Sequence, residues 1–146
     1  MDLRAKGSRL RLGRVSEPGR LYHITTVTYG RHPVFKDLTA CRSLIKVLRE
    51  QAEVRLVPTY AFVIMPDHLH WLMQLNHEPL SRVVARVKSL SALWIEELRW
   101  QRGFHDHALR REEDVRKVAR YLVANPLRAG LVTSIGDYPH WDAAWL

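Results

Sequence analysis

The sequence contains little cysteine and no long apolar run. Cys41 is the one cysteine among 146 residues, so no disulfide can form within the chain and nothing calls for an oxidising compartment. No apolar run approaches the roughly 18–20 residues that a membrane-spanning helix needs. The first residues are basic and polar, unlike the apolar core of a signal peptide. We therefore expect a cytoplasmic protein with no membrane partner.

Acidic residues are also in the minority. The chain has 15 Asp and Glu against 23 Lys and Arg, which gives a formal net charge of +8 and a pI near 10.1. An excess of this size favours a polyanionic partner, most often a nucleic acid; the alternative is a basic protein without such a partner. Half of the excess lies in residues 1–20, which carry six basic and two acidic residues. We interpret this segment as a basic N-terminal arm.

The remaining residues, 21–146, are predicted to form a single domain. Their hydrophobic pattern predicts a strand, a helix, two strands of a hairpin, a helix, a strand and a helix. The predicted boundaries, in that order, are 22–29, 38–53, 56–65, 68–75, 80–100, 104–109 and 112–124. The buried apolar stripe predicted for the helix over 80–100 includes Leu93 and Trp94, and the stripe predicted for the last helix consists of Val115, Val118, Ala119, Leu122 and Val123. The order predicts an α+β fold of the ferredoxin-like or RRM-like βαββαβ type, an antiparallel sheet with helices on one face, followed by a C-terminal helix. This fold does not select one function.

Two histidines lie at the start of the third predicted strand. Because strand side chains alternate between faces, His68 and His70 point the same way, while Leu69 and Trp71 point to the other face. Two neutral imidazoles on a rigid strand can hold a divalent metal ion. The alternative is a pair of half-exposed histidines without a ligand. A second pair with the same spacing, His105 and His107, lies in a more polar stretch.

Tyr121 and Asn125 lie one turn apart along one edge of the last predicted helix, which Pro126 ends. A tyrosine hydroxyl can attack a phosphodiester and form a covalent intermediate, and an amide oxygen can be a third metal ligand. The alternative for Tyr121 is a residue at the edge of the core with its hydroxyl in water.

A basic face is also predicted on the helix over 80–100. Arg82 and Arg86 lie one turn apart there and could contact DNA phosphates. The alternative is an ordinary solvated face.

Two stretches resemble the HUH single-tyrosine transposases of the IS200-like superfamily. Residues 62–72 resemble their HUH motif, in which a hydrophobic residue, here Leu69, separates two histidines. Residues 120–131 resemble the nucleophile helix of the branch associated with repetitive extragenic palindromes (REPs). Further similar segments, at 19–25, 104–110 and 138–142, extend the resemblance over nearly the whole chain.

The resemblance implies a metal-dependent single-stranded DNA endonuclease and strand transferase. His68 and His70 would bind Mg²⁺ or Mn²⁺, and Tyr121 would attack the scissile phosphate to leave a 5′-phosphotyrosine and a free 3′-hydroxyl. Asn125 would be the third metal ligand, with His107 held in reserve for that role.

The resemblance also implies a DNA partner that folds into REP hairpins. Contacts to the hairpin and its flank would come from the basic arm, at Arg9, Arg11 and Arg14. Tyr22 or Trp71 could stack on unpaired bases, although both also fit a core position. A monomer is favoured over a homodimer.

Two other functions are compatible with parts of the pattern. A non-catalytic nucleic-acid-binding module on the same fold would need neither metal nor the Tyr121 hydroxyl. A zinc hydrolase unrelated to DNA would leave the charge of +8 unexplained, and the sequence lacks a His-Glu-x-x-His helix motif. Metal-dependent cleavage of DNA separates the first of these from a transposase-like enzyme.

Overall fold

The computed structural model describes residues 16–110, 113–131 and 140–143. The DNA contacts predicted at Arg9, Arg11 and Arg14 lie outside these residues. Nine α-helices and β-strands are found in the described part of the chain, besides two short 3-10 helices at Tyr29–Arg31 and Val34–Lys36. They are β1 Leu21–Val27, α1 Leu38–Glu53, β2 Thr59–Met65, β3 His68–Gln74, α2 Leu80–Trp94, β4 His105–Ala108, α3 Glu113–Val123, α4 Asn125–Arg128 and β5 Trp141–Ala143.

The strands form one antiparallel sheet in the order β4-β1-β3-β2-β5. The first four strands have the predicted ferredoxin-like arrangement. The additional edge strand β5 was not predicted. Helices α1 and α2 pack together on one face of the sheet, which we call the closed face, and α3 packs against β2 on the opposite face. The predicted α+β fold with a separate C-terminal helix is therefore confirmed.

The closed face is a continuous apolar core. From β3 it receives Leu69, Trp71 and Met73, which are 1% exposed or less and pack with α1 and α2. Tyr22 and Trp71 both belong to this core, and the Trp71 indole N–H donates to Thr59 Oγ1 over 2.9 Å. The structure therefore favours the core position over base stacking for these two aromatics.

Helix α1 begins and ends where the sequence predicted. Asp37 caps it by accepting a hydrogen bond from the Thr39 backbone N–H over 2.9 Å, which satisfies one of the free donors of the first turn.

The predicted end of the second helix was wrong. It ends at Trp94 rather than continuing to Trp100, because Ile95 takes an extended conformation (φ −117°, ψ 103°). The chain then turns so that Trp100 pairs with Thr28 and donates its indole N–H to Ser91 Oγ over 2.9 Å. Leu93 and Trp94, predicted to be buried, are 76% and 70% exposed.

The opposite face is covered over only part of its width. Helix α3 packs its apolar side on β2 and on Leu72 of β3, forming a second, smaller core. The predicted apolar stripe of this helix is confirmed by its members Val115, Val118, Ala119, Leu122 and Val123. The remainder of this face, on β1, β4 and the first half of β3, carries polar side chains. We call it the open half-face.

Candidate active site

The open half-face brings together histidines that are far apart in the sequence. In the strand register, His70 lies opposite Thr25, Thr25 lies opposite His105, and His23 lies opposite His107. Because residues opposite each other in an antiparallel pair point to the same face, both predicted histidine pairs share one surface with His23. Five of the eight histidines of the chain are therefore on the open half-face: His23, His68, His70, His105 and His107.

The His68 ring is held by the residue that precedes it. Its Nδ1 lies 2.7 Å from Asp67 Oδ1, and the other carboxylate oxygen of Asp67 accepts from Arg31 Nη1 over 3.1 Å. Burial acts to raise the pKa of Asp67, but the hydrogen bonds from His68 and Arg31 outweigh it and hold that pKa below its ordinary value. Asp67 is thus ionised, and its carboxylate orients the His68 ring through Nδ1.

The His70 ring is held from the neighbouring strand. Its Nδ1 is hydrogen-bonded to His23 Nε2 over 3.1 Å and to Thr25 Oγ1 over 3.2 Å. Burial first, and then the neighbouring charges of His68, His23 and Arg128, lower the pKa of His70 to about 3. Burial, followed by the charge of His107, lowers the pKa of His23 to about 4. Both rings are therefore neutral near pH 7.

These contacts leave the same nitrogen available on both rings. His68 and His70 each use Nδ1 in a hydrogen bond, and their rings are 4.9 Å apart, nearly perpendicular. Metal-binding histidines commonly use one ring nitrogen for the metal and the other for an orienting partner. The pair therefore fits two Nε2 ligands of a divalent ion. Among the described residues, no group of three or more His, Cys, Asp or Glu could hold a metal, so amide, water and substrate oxygens are candidates for a further ligand.

The end of α3 and the start of α4 form a second part of the site. Tyr121 is 62% exposed. Asn125 donates its Nδ2 to the Leu122 carbonyl over 3.1 Å, and its Oδ1 accepts from Arg128 Nη2 over 2.8 Å. Arg128 is close enough to His70 to contribute to the lowering of its pKa. The amide oxygen predicted to be a metal ligand is therefore bound to a cation that it would have to exchange for a metal.

His107, the reserve for the third ligand, is exposed on β4. Its strand partner is His23, which in turn is hydrogen-bonded to His70. Strand β1 therefore lies between His107 and the His68/His70 pair. The choice of third ligand stays a prediction.

Arg82 and Arg86 lie on α2, so the sheet separates them from the histidines. The Arg86 guanidinium makes a bidentate pair with Glu78, over 2.6 and 2.8 Å, and its Nε donates to Gln51 over 2.8 Å. The structure thus favours a structural role for Arg86 over a DNA contact. Arg82 is exposed, as both of its interpretations required.

Four residues of the site were not predicted: His23, Thr25, Asp67 and Arg128. His23 and Thr25 have the same one-residue spacing as His68 and His70, which in a strand predicts a shared face. What the local sequence does not contain is the register that aligns the two pairs.

The comparisons identify the class of protein. Over residues 19–123 the chain matches the family described as "Transposase IS200 like", and it belongs to that family. Within the part of the chain that the structure describes, no helix is long and apolar enough to cross a bilayer.

The chain is similar to two REP-associated tyrosine transposases. It is 29% identical over 110 residues to the REP-associated tyrosine transposase of Escherichia coli K12, covering 70% of this chain and 64% of that protein. It is 30% identical over 99 residues to a putative REP-associated tyrosine transposase of Haemophilus influenzae Rd, covering 56% of each chain. The chain therefore spans a little less than two thirds of the length of the curated relatives it matches.

Two solved structures share the fold. One is a REP-associated tyrosine transposase bound to a REP hairpin, with a TM-score of 0.70, 24% identity, and coverage of 88% of this chain and 79% of that one. The other is a putative transposase from Deinococcus radiodurans R1, with a TM-score of 0.56, 22% identity, and coverage of 75% and 92%.

Proposed function

We propose that this protein is a metal-dependent single-stranded DNA endonuclease and strand transferase that cleaves near REP hairpins through a 5′-phosphotyrosine on Tyr121. The observation that carries the proposal is the pair His68 and His70, each with Nδ1 engaged and Nε2 left free on the open half-face of an IS200-like transposase. A solvent-exposed tyrosine lies on the helix that covers the other half of the same face.

The residues of the chain divide the reaction between them. His68 and His70 hold Mg²⁺ or Mn²⁺ through Nε2, and a divalent ion supplies Lewis-acid polarisation of the scissile phosphate. The Tyr121 hydroxyl attacks the phosphorus, so a phosphorus–oxygen bond to Tyr121 forms as the phenol loses its proton. The bond to the 3′ oxygen breaks, and that oxygen keeps the electron pair and takes up a proton. A 3′-hydroxyl strand can later reverse the step, which makes the enzyme a strand transferase.

The net charge of the chain and its similarity to REP-associated transposases support the proposed substrate. A net charge of +8 suits a polyanion, and the related REP-associated transposase of known structure is bound to a REP hairpin. We propose the same class of DNA here, contacted by Arg9, Arg11 and Arg14 of the basic arm at 1–20, while residues 21–146 form the catalytic domain. The protein acts as a monomer in the cytoplasm. Asn125 would supply the third metal ligand through its amide oxygen, which in the structure contacts Arg128.

The test is the formation of a covalent protein–DNA product. The purified protein is incubated with labelled single-stranded hairpins and Mn²⁺, then resolved on a denaturing gel. We expect a covalent band that disappears with chelator, in His68→Ala and in Tyr121→Phe, while Tyr121→Phe still binds the hairpin because only a hydroxyl is lost. The matched control is Tyr29→Phe, which removes the hydroxyl of another exposed tyrosine and should keep the band. A covalent band that persists in Tyr121→Phe would refute the nucleophile assignment.

The second candidate function is a non-catalytic nucleic-acid-binding module. It is favoured by one observation: the Asn125 oxygen, proposed as the third metal ligand, is bound to Arg128. This module would bind the hairpin equally well with chelator and would form no covalent band under any metal condition.

A further inference from the structure

Arg128 joins the proposed nucleophile to the proposed third metal ligand. Its Nη2 donates to the Tyr121 carbonyl and to Asn125 Oδ1, both over 2.8 Å. Its guanidinium carbon lies 3.8 Å from the centroid of the Tyr121 ring, a separation typical of a cation–π contact. The cation is therefore fixed on the face of the tyrosine ring by three interactions, although the side chain as a whole is exposed.

Most of the donors of this guanidinium are unused. An arginine has five N–H donors in a rigid fork, and the two contacts of Nη2 account for two of them. Within the described residues, the structure gives the N–H groups of Nε and Nη1 no protein acceptor. The Nε–H lies on the side of Nη2, and Nη1 has two N–H groups of its own, so the guanidinium keeps three N–H donors that can bind the oxygens of a phosphate.

The position of the charge also matters. Arg128 contacts Tyr121, and its charge also acts on His70. Among the described residues, no carboxylate pairs with this exposed cation, whose contacts are with a carbonyl, an amide oxygen and an aromatic ring. By contrast, Arg86 has its fork fully occupied by Glu78 and Gln51. A preorganised donor at the site of reaction can stabilise charge that develops in the transition state.

We propose that Arg128 binds the phosphate that Tyr121 attacks, through the N–H groups that Tyr121 and Asn125 leave unused, and still binds it in the phosphotyrosine that results. The inference rests on the proposed function and adds a catalytic residue to it. No bond to Arg128 forms or breaks. Its charge balances the non-bridging oxygens while the bond to Tyr121 forms and the bond to the 3′ oxygen breaks. Its contacts with the Tyr121 carbonyl and ring stay in place even when Asn125 turns to the metal ion, so the tyrosine and the phosphate are held by one rigid group.

The experiment compares single-turnover rates of adduct formation at saturating hairpin DNA and Mn²⁺ for the wild type, Arg128→Ala, Arg128→Lys and Arg120→Ala. Arg120→Ala is the matched control, because it removes an exposed arginine from the residue next to Tyr121. We expect Arg128→Ala to lower the rate about 100- to 1,000-fold, as the loss of a donor to a transition-state anion typically does. Arg128→Lys should recover little of the rate, because an ammonium cannot contact the Tyr121 ring, its carbonyl and the phosphate at the same time. Arg120→Ala should stay within about threefold of the wild type.

A rescue experiment separates a catalytic role from a structural one. Guanidinium ion added at concentrations that leave the thermal melting temperature unchanged should raise the rate of Arg128→Ala several-fold. The same addition should leave Tyr121→Phe inactive. A residue that merely held α4 in place would not be replaced by a free guanidinium ion.

The outcomes distinguish this inference from the function on which it rests. If the wild type forms no adduct, the proposed function fails and the inference fails with it. If the wild type reacts and Arg128→Ala matches Arg120→Ala, or Arg128→Lys matches the wild type, only the inference is overturned. If Arg128→Ala has lost its folded state by thermal melting, the rate of the lysine variant decides the matter.

Discussion

The two faces of the same sheet differ in how completely they are covered. On strand β3, Leu69, Trp71 and Met73 are buried under two helices. His68 and His70, which alternate with them, point to the opposite face, which one helix covers in part. Leu72 is on the same face as His70 but is buried under α3. The boundary between core and site therefore runs between two residues of one strand.

The difference in coverage explains why the candidate site lies on the open half-face. The closed face has its apolar side chains buried under two helices, so it provides rigidity. The open half-face is attached to the same rigid backbone, but its imidazoles are free to meet a ligand. A functional group placed on a strand rather than on a loop is held with greater precision.

The largest loss of stability is expected from a substitution on the closed face. Replacing Trp71 with Ala removes a fully buried side chain and its hydrogen bond to Thr59, which should cost about 3–5 kcal/mol of unfolding free energy. His70→Ala, the adjacent residue on the other face, should cost about 1 kcal/mol or less. Urea unfolding of both variants measures the difference. Equal losses would mean that the open half-face is part of the core.

A smaller effect, on metal affinity, is expected from His23, which contacts His70. His23→Ala removes a hydrogen-bond partner of His70 Nδ1, and loss of such an orienting partner typically weakens metal binding about 10- to 100-fold. Titration with Mn²⁺, followed by electron paramagnetic resonance, measures this affinity in the absence of DNA. The control is His77→Ala, an exposed histidine outside the site. If His23→Ala and His77→Ala bind Mn²⁺ equally well, His23 does not orient His70.

The smallest effect concerns the ion pair beside the closed face. The hydrogen bond from Arg86, followed by that from Asn76, lowers the pKa of Glu78 to about 2. Because a lowered carboxyl pKa stabilises the folded state above the unfolded pKa, this contribution is complete above about pH 5 and is lost as the pH falls towards 2. Glu78→Gln should therefore be less stable than the wild type near neutral pH, by on the order of 1 kcal/mol, and the two should converge in acid. Thermal melting from pH 6 to 2.5 measures this, and parallel curves would contradict it.

Local patterns predicted the elements whose boundaries have local causes. Asp37 caps α1 through its own side chain. The alternation from His68 to Met73 is visible in the sequence because the polarity of each residue indicates the face to which it points. The apolar stripe of α3 was predicted for the same reason, since Leu122 and Val123 repeat with the helical period.

Long-range contacts account for what was not predicted. Helix α2 ends at Trp94 although the apolar period continues, because Trp100 pairs with Thr28 at the end of β1. Strand β5 depends on pairing with β2, about 80 residues earlier in the chain. His23 joins the site through the β1–β3 register, and Arg128 joins it through the turn between α3 and α4. The candidate nucleophile and the histidine pair could be named from the sequence, whereas the residues that orient them could not.

The most direct test of the account is to locate the DNA on the protein. Adduct formed with a hairpin substrate and Mn²⁺ is digested with nuclease and trypsin, and the modified peptide is identified by mass spectrometry. We expect a nucleotide remnant on the peptide of residues 121–128, which contains a single tyrosine, Tyr121. A remnant on any other peptide would contradict the assignment of Tyr121 and of the site built around it.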